Sequence, residues 1–186
     1  MVEIICGFCI IDDMQKFQIE KAIEILEQTP TTVKSLLGNL SNDWTLSKLT
    51  DNWNPFDVIG HYIHGEETDW IPRAEIILAQ GESVTFVPFN RFAQFESSNG
   101  KTLAELLEIF AELRQKSLET LKSWNLSREQ LQLTGIHPEL GEVTLEQLLS
   151  TWVVHDLTHL RQIVTVLAKQ YTENVGVWKA YLSILR

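Results

Sequence analysis

The stretch STWVVHDLTHLRQIVTVL, Ser150 to Leu167, decides how the chain is read. Leu145, Leu148, Trp152, Ile163 and Val166 recur at steps of three and four, the period of one helix face. His155 and His159 continue that stripe, so their Cβ atoms fall on the same face, roughly 5–6 Å apart. Burying an imidazole is costly unless its nitrogens find partners. Two of them in register on an apolar face point to one shared partner, and this spacing lets a helix offer two imidazoles to a single metal ion. The intervening Asp156, Leu157 and Thr158 make this no zincin motif, because no glutamate general base follows His155. The competing reading is a pair of hydrogen-bonded core histidines.

Working outward, four long helical patterns carry recognisable ends. The first is expected from about Asp13 to Gln28, with Phe17, Ala22, Ile25 and Leu26 on its buried face, broken by Thr29-Pro30 and followed by a short piece ending near Gly38. The second opens with Asn54 as N-cap, Pro55 at the first helical position and Asp57 at the positive end of the dipole. It runs to about Gln80 with a kink expected at Pro72. The third opens with Thr102 and Glu105 as a capping box and carries Leu103, Leu106, Phe110, Leu113, Leu121 and Trp124 at helical spacing. The fourth opens with Thr144 and Gln147, another such pair, and runs to about Tyr171. A short terminal helix, VGVWKAYLSIL, closes the chain. Between these lie an aromatic-rich connection from Gly81 to Gly100 and a turn-rich segment, GIHPELG, able to hold a hairpin. The expectation is an all-α antiparallel four-helix bundle, residues 14–186 as one domain, with a long crossover loop over a site.

The second helix supplies two more histidines, His61 and His64, in DVIGHYIHGEETDW. Gly60 and Gly65 flank His61, and each costs ~1 kcal/mol in a helix interior, which suggests a close approach by another helix or a bound ion. His64 has polar neighbours and Glu67 three residues on. His61 is therefore the better candidate ligand, and His64 faces outward or supports it.

The segments WNPFDVIGHYIHGEE and HDLTHLRQI, with the aromatic crossover between them, resemble the DinB-like family of bacterial four-helix proteins from about Met14 to Leu167. In that family three imidazoles bind one divalent metal in the bundle. Carried over by motif, the ligands are His61, His155 and His159, and Gln162 matches the glutamine that often follows; His64 departs from the usual acidic or small residue. The resemblance implies a divalent metal ion, zinc or nickel foremost with iron as an alternative, and a thiol S-transferase chemistry on small electrophiles. Three neutral ligands leave a coordination position open, as in catalytic rather than structural sites. Imidazole suits several first-row metals alike.

Three function classes remain open at this level. One is a metal-dependent transferase using a low-molecular-weight thiol, with the crossover from Phe86 to Phe95 covering an apolar electrophile and Arg91 or Arg161 holding an anionic group. Another is a non-catalytic metal-binding stress protein in which the ion fixes the bundle. A metal-dependent hydrolase is the third, with Glu66 as its nearest candidate base.

Composition narrows the partners. The formal charge of -10 with scattered basic residues argues against nucleic acid, whose binding needs clustered Lys and Arg. No apolar run approaches the ~20 residues that span a bilayer, and MVEIICGFCIIDDM lacks a basic signal-peptide start, so a cytoplasmic protein is expected. Cys6 and Cys9 form a CxxC in an N-terminal extension, residues 1–13, that carries no βαβ context for redox chemistry. Val177, Trp178, Tyr181 and Leu182 on the terminal helix suggest a cover for the bundle or the seam of a homodimer.

Overall fold

The computed structural model describes residues 17–47 and 53–186. The expected extension with Cys6 and Cys9, and the helix start near Asp13, lie outside the described residues. The frame consists of α1 (Ile19–Leu37), α2 (Pro55–Thr68), α3 (Trp70–Gln80), α4 (Leu103–Ser123) and α5 (Leu145–Lys169). Three of these begin where the capping signals stand. Asp57 N donates to Asn54 Oδ1 at 2.9 Å and Asn54 N donates back to Asp57 Oδ2 at 3.2 Å, and Thr102–Glu105 and Thr144–Gln147 form the same reciprocal boxes.

The two prolines differ in their effect. Pro30 does not end the first helix, which runs unbroken to Leu37 and stops at Gly38. Its missing N–H leaves the Leu26 carbonyl without a helical donor, and Arg114 of α4 fills that vacancy with a 2.8 Å hydrogen bond. Ile25, expected on the buried face, is 39% exposed, while Thr29, Val33 and Leu37 continue the seam of Ala22 and Leu26. Pro72, by contrast, does interrupt its helix. The break falls at Asp69 (φ -113°, ψ -67°), so that Pro72 sits in the first turn of α3, where no N–H is required.

Two apolar layers fix the helix directions. One holds Leu26, Ala74, Leu118, Leu121, Leu148 and Trp152. The other holds Val33, Leu37, Ile59, Leu106, Phe110 and Ile163. From the first layer to the second, residue numbers rise along α1 and α5 and fall along α2/α3 and α4. The α1 helix packs on α4 and α5, and the α2/α3 arm packs on the same two. Each arm thus has one antiparallel and one parallel neighbour in a four-helix bundle. Because α4 runs parallel to α2/α3, residues 81–102 must carry the chain back along the bundle before α4 can start. That geometric need is why the crossover is long.

The crossover is fastened rather than free. Phe86 is buried, and its N–H donates to Ile136 O at 2.9 Å on a two-stranded hairpin, β1 (Thr134–His137) with β2 (Gly141–Thr144). A short helical turn, Gln94–Ser97, then lies against α2. A Cβ on Gly60 would overlap Ser98 Oγ and lie 3.1 Å from Gln94 Cβ, and one on Gly65 would lie 3.1 Å from Trp70 Nε1. Both glycines therefore admit protein neighbours, the crossover and an indole, not an ion.

Past α5 the chain forms two 3₁₀ turns, Gly176–Tyr181 and Ser183–Leu185, in place of the expected terminal helix. Val177 and Tyr181 are 88% and 82% exposed, so this segment does not cover the bundle with those side chains. Among the described residues no helix is long and apolar enough to cross a membrane.

Candidate metal centre

His61 of α2 and His155 and His159 of α5 come together between the two helices, with one ring nitrogen from each lying within 4.8 Å of the others. His61 Nε2 stands 3.1 Å from His155 Nε2. His159 Nδ1 lies 2.7 Å from Gln162 Oε1. An amide oxygen only accepts, so that bond places the His159 proton on Nδ1 and leaves Nε2 with a free lone pair. His64, one turn beyond His61, stays outside the cluster with its ring 4.8 Å from Phe89.

The cluster is walled by aromatic rings. Trp53 lies 4.7 Å from His61 and stacks on His159 at 6.1 Å, Phe89 meets His61 edge-on at 5.4 Å, and Trp70 stands 5.0 Å from His155. Burial, reinforced by the neighbouring imidazoles, pulls His61 from its ordinary range to about 3. Burial and His155 likewise pull His159 to about 4, against the opposing bond to Gln162. Both are neutral near pH 7. His61 is only 5% exposed, and among the described residues its buried Nδ1 has no hydrogen-bond partner, while His155 Nδ1 lies 4.0 Å from Asp156 Oδ1. Neutral imidazoles whose Nε2 atoms face one another at 3.1 Å are what a divalent cation between them would satisfy, with the protons of His61 and His155 then carried on Nδ1. The donor set fits such an ion.

At this level of α5 the deepest position is not a histidine. Asp156 is 0% exposed, whereas His155 and His159 are half-buried at the edge of the seam and face a cavity of about 780 Å³. Asp156 belongs to a buried polar network that the sequence reading did not contain. Arg114 Nη1 and Nη2 donate to Asp156 Oδ2 and Oδ1 at 2.6 and 3.0 Å, Arg114 Nε donates to Glu66 Oε1 at 2.9 Å, and Trp152 Nε1 donates to the same oxygen at 3.1 Å. Burial opposes the charge on Asp156, but Arg114 outweighs it and holds the carboxyl below its usual range. Glu66 is raised by burial, which exceeds the pull of Arg114. Tyr62 Oη donates to the backbone oxygen of Asp156 at 2.7 Å, pinning α2 to α5 between the two histidines.

This placement bears on Glu66 as a candidate base. Its side chain is 0% exposed, is bound by Arg114 and Trp152, and does not line the cavity. Proton abstraction from a substrate needs hydrogen-bond reach, which Glu66 lacks here. Arg161 is exposed and also does not line the cavity. Arg91 does, as do Asp69 and Arg73, an ion pair at 2.6 Å that no motif marks in the sequence.

The family model described as the DinB superfamily matches residues 25–163, from within α1 through both α5 histidines. The chain belongs to the DinB superfamily. No curated protein sequence matches this DinB-superfamily chain significantly. Its structure is similar to that of YfiT from Bacillus subtilis, with a TM-score of 0.72 at 21% sequence identity, over 84% of this chain and 91% of that one. YfiT is described as a probable metal-dependent hydrolase with an unusual four-helix bundle topology. At that identity the likeness is one of fold.

Proposed function

We propose that this DinB-superfamily protein holds one divalent ion on His61, His155 and His159 and transfers a low-molecular-weight thiol to a small electrophile. The observation that carries the reading is the convergence of three imidazoles at the wall of a large aromatic cavity, two of them held neutral by burial. A divalent ion held there supplies Lewis acidity, bringing a thiol or a water to its conjugate base near neutral pH. Gln162 fixes the His159 tautomer, and Trp53 and Phe89 pack against the rings of His159 and His61.

A thiol is favoured over water by what surrounds the histidines. Hydrolysis also calls for a group that protonates the leaving group; Glu66 is taken up by Arg114 and Asp69 by Arg73, which leaves Glu139 of the hairpin as a cavity-wall carboxylate without an ion pair among the described residues. A thiolate attacking a carbon that bears a good leaving group needs no such proton donor. In the transfer, the sulfur–carbon bond forms, the bond from that carbon to its leaving group breaks with its electron pair, and the thiol proton passes to solvent. The second reading, metal-dependent hydrolysis, is supported by the fold likeness to YfiT.

The test begins with metal analysis of protein purified without added metal, alongside His155→Ala and His159→Ala. About one equivalent in the wild type, lost in both variants, is expected. Turnover of a chloro-dinitrobenzene probe with cysteine-like thiols, lost in His155→Ala, would support the transferase. Ester hydrolysis with no thiol requirement would replace it with the hydrolase, and absence of metal from every sample, with none taken up on re-addition, would overturn both.

A further inference from the structure

Three charged side chains of the cavity wall sort themselves by partner. Arg73 is spent: it pairs with Asp69 at 2.6 Å, donates to Val87 O at 3.3 Å and lies 5.2 Å over the Phe86 ring. Asp69 is spent with it. Arg91 is different. Among the described residues it makes no ion pair, and Glu139, which lines the same cavity from the hairpin, does not pair with it. Its guanidinium is held by aromatic faces instead, 5.8 Å from the Trp53 ring centroid and 5.4 Å from that of Phe92. Trp53 is the ring that stacks on His159, which sets the Arg91 guanidinium beside the histidine cluster. A cation oriented by π faces keeps its five N–H donors for something else.

We propose that Arg91 is an anion anchor: it holds the carboxylate, sulfonate or phosphate of a small substrate whose apolar body lies against Trp53, Phe89 and Phe92. The apolar half of that ligand follows from the rim, where Phe92 and Leu140 line the cavity while 57% and 74% exposed. Side chains of that type left open at a cavity mouth mark a binding groove. In a chain of formal charge -10 the general field repels anions, so a local, unpaired guanidinium is what an anionic substrate needs to enter. The assignment rests on this cavity being the substrate site, as in the proposed function, but on neither the ion nor the choice of thiol or water.

The experiment is calorimetric binding of naphthalene-2-sulfonate and of its neutral counterpart 2-(hydroxymethyl)naphthalene, to metal-free and metal-loaded protein. Sulfonate is a weak metal ligand, so its preference reports the guanidinium. The wild type is expected to favour the sulfonate by about tenfold, the size of one charge-assisted contact. Arg91→Gln should abolish that preference while leaving binding of the neutral probe and the metal content unchanged, and His155→Ala should keep the preference. Equal binding of the two probes by the wild type, binding of neither, or a preference that persists in Arg91→Gln overturns the proposal. Protein that takes no metal yet prefers the sulfonate would retire the metal reading and keep this one; protein that takes metal without the preference would do the reverse.

Discussion

Arg114 donates at 2.8 Å to the backbone oxygen of Leu26, the acceptor that Pro30 leaves open four residues later. One guanidinium thus closes the gap in α1, a carboxylate on α2 and a carboxylate on α5. All its partners are buried, so its loss strands two carboxylates in the core. Arg114→Met is expected to destabilise the fold by about 3–5 kcal/mol, the range for removing one member of a buried ionic group. Arg114→Lys should recover little, since an ammonium cannot reproduce the fork to Asp156. Adding Glu66→Gln and Asp156→Asn to Arg114→Met should restore part of the loss. Urea unfolding of the series checks this, and a neutral Arg114→Met would contradict it.

Acid should weaken the metal-free protein in a defined window. His61 and His159 are held to about 3 and about 4 in the fold, chiefly by burial, whereas an unfolded histidine titrates near 6.5. Below 6.5 the unfolded chain binds protons that the folded chain refuses, so the stabilising contribution is complete above that pH and is lost as pH falls towards 4 and 3. The slope approaches about 1.4 kcal/mol per pH unit for each group inside the window. Subtracting the profile of His61→Ala isolates the first of them. With metal bound, protons must also reach these depressed imidazoles before they can displace it, so release is expected below pH 5, as the pH falls towards 4 and 3. Urea melts from pH 8 to 4.5, with metal content followed down to pH 3, decide it: identical profiles for wild type and His61→Ala would refute the first part, and full retention of metal at pH 3 the second.

The sequence made the helix starts legible because capping is local chemistry: Asn54, Thr102 and Thr144 need only their own third neighbours. The histidine cluster was legible for a similar reason, since an i, i+4 pair on an apolar stripe places two candidate ligands side by side before any fold is known. The core network was not. Arg114 stands four residues after Phe110 and seven before Leu121, squarely on the α4 stripe, yet a lone arginine there reads as a break in periodicity until Asp156 and Glu66 are seen opposite it. Asp156 was hidden the same way, beside a histidine that drew the attention. Pro30 misled because its cost as a helix breaker is offset by a donor 84 residues away. Local rules fail where the compensation is long-range.

Gln162 gives a test of ligand orientation separate from ligand identity. Its Oε1 lies 2.7 Å from His159 Nδ1 and fixes which nitrogen faces the other histidines. Gln162→Leu keeps the volume but removes the acceptor. Metal affinity should fall by about 10- to 100-fold, the usual cost of losing such a partner, while unfolding of the metal-free protein shifts little because Gln162 lies at the cavity wall. Competitive titration against a chromophoric chelator measures the first and thermal melts the second. Unchanged affinity would mean that His159 is oriented by packing on Trp53 alone.

Gly60 tests whether the crossover is held by α2. It lies one residue before His61, and a Cβ there would run into Ser98 Oγ and press on Gln94 Cβ at 3.1 Å, both of them buried. Gly60→Ala gains helix propensity of up to ~1 kcal/mol, yet the overlap should dominate and cost about 1–3 kcal/mol as the turn Gln94–Ser97 is pushed off the helix. Ser98→Ala removes the overlapping oxygen, so the double variant should regain much of the stability. Hydrogen exchange at residues 94–99 reports the local effect, and chemical denaturation the global one. If Gly60→Ala stabilised the protein without raising exchange in that segment, the crossover would not be held by close packing against α2, and the cover over His61 would have to rest on Phe86 and the hairpin instead.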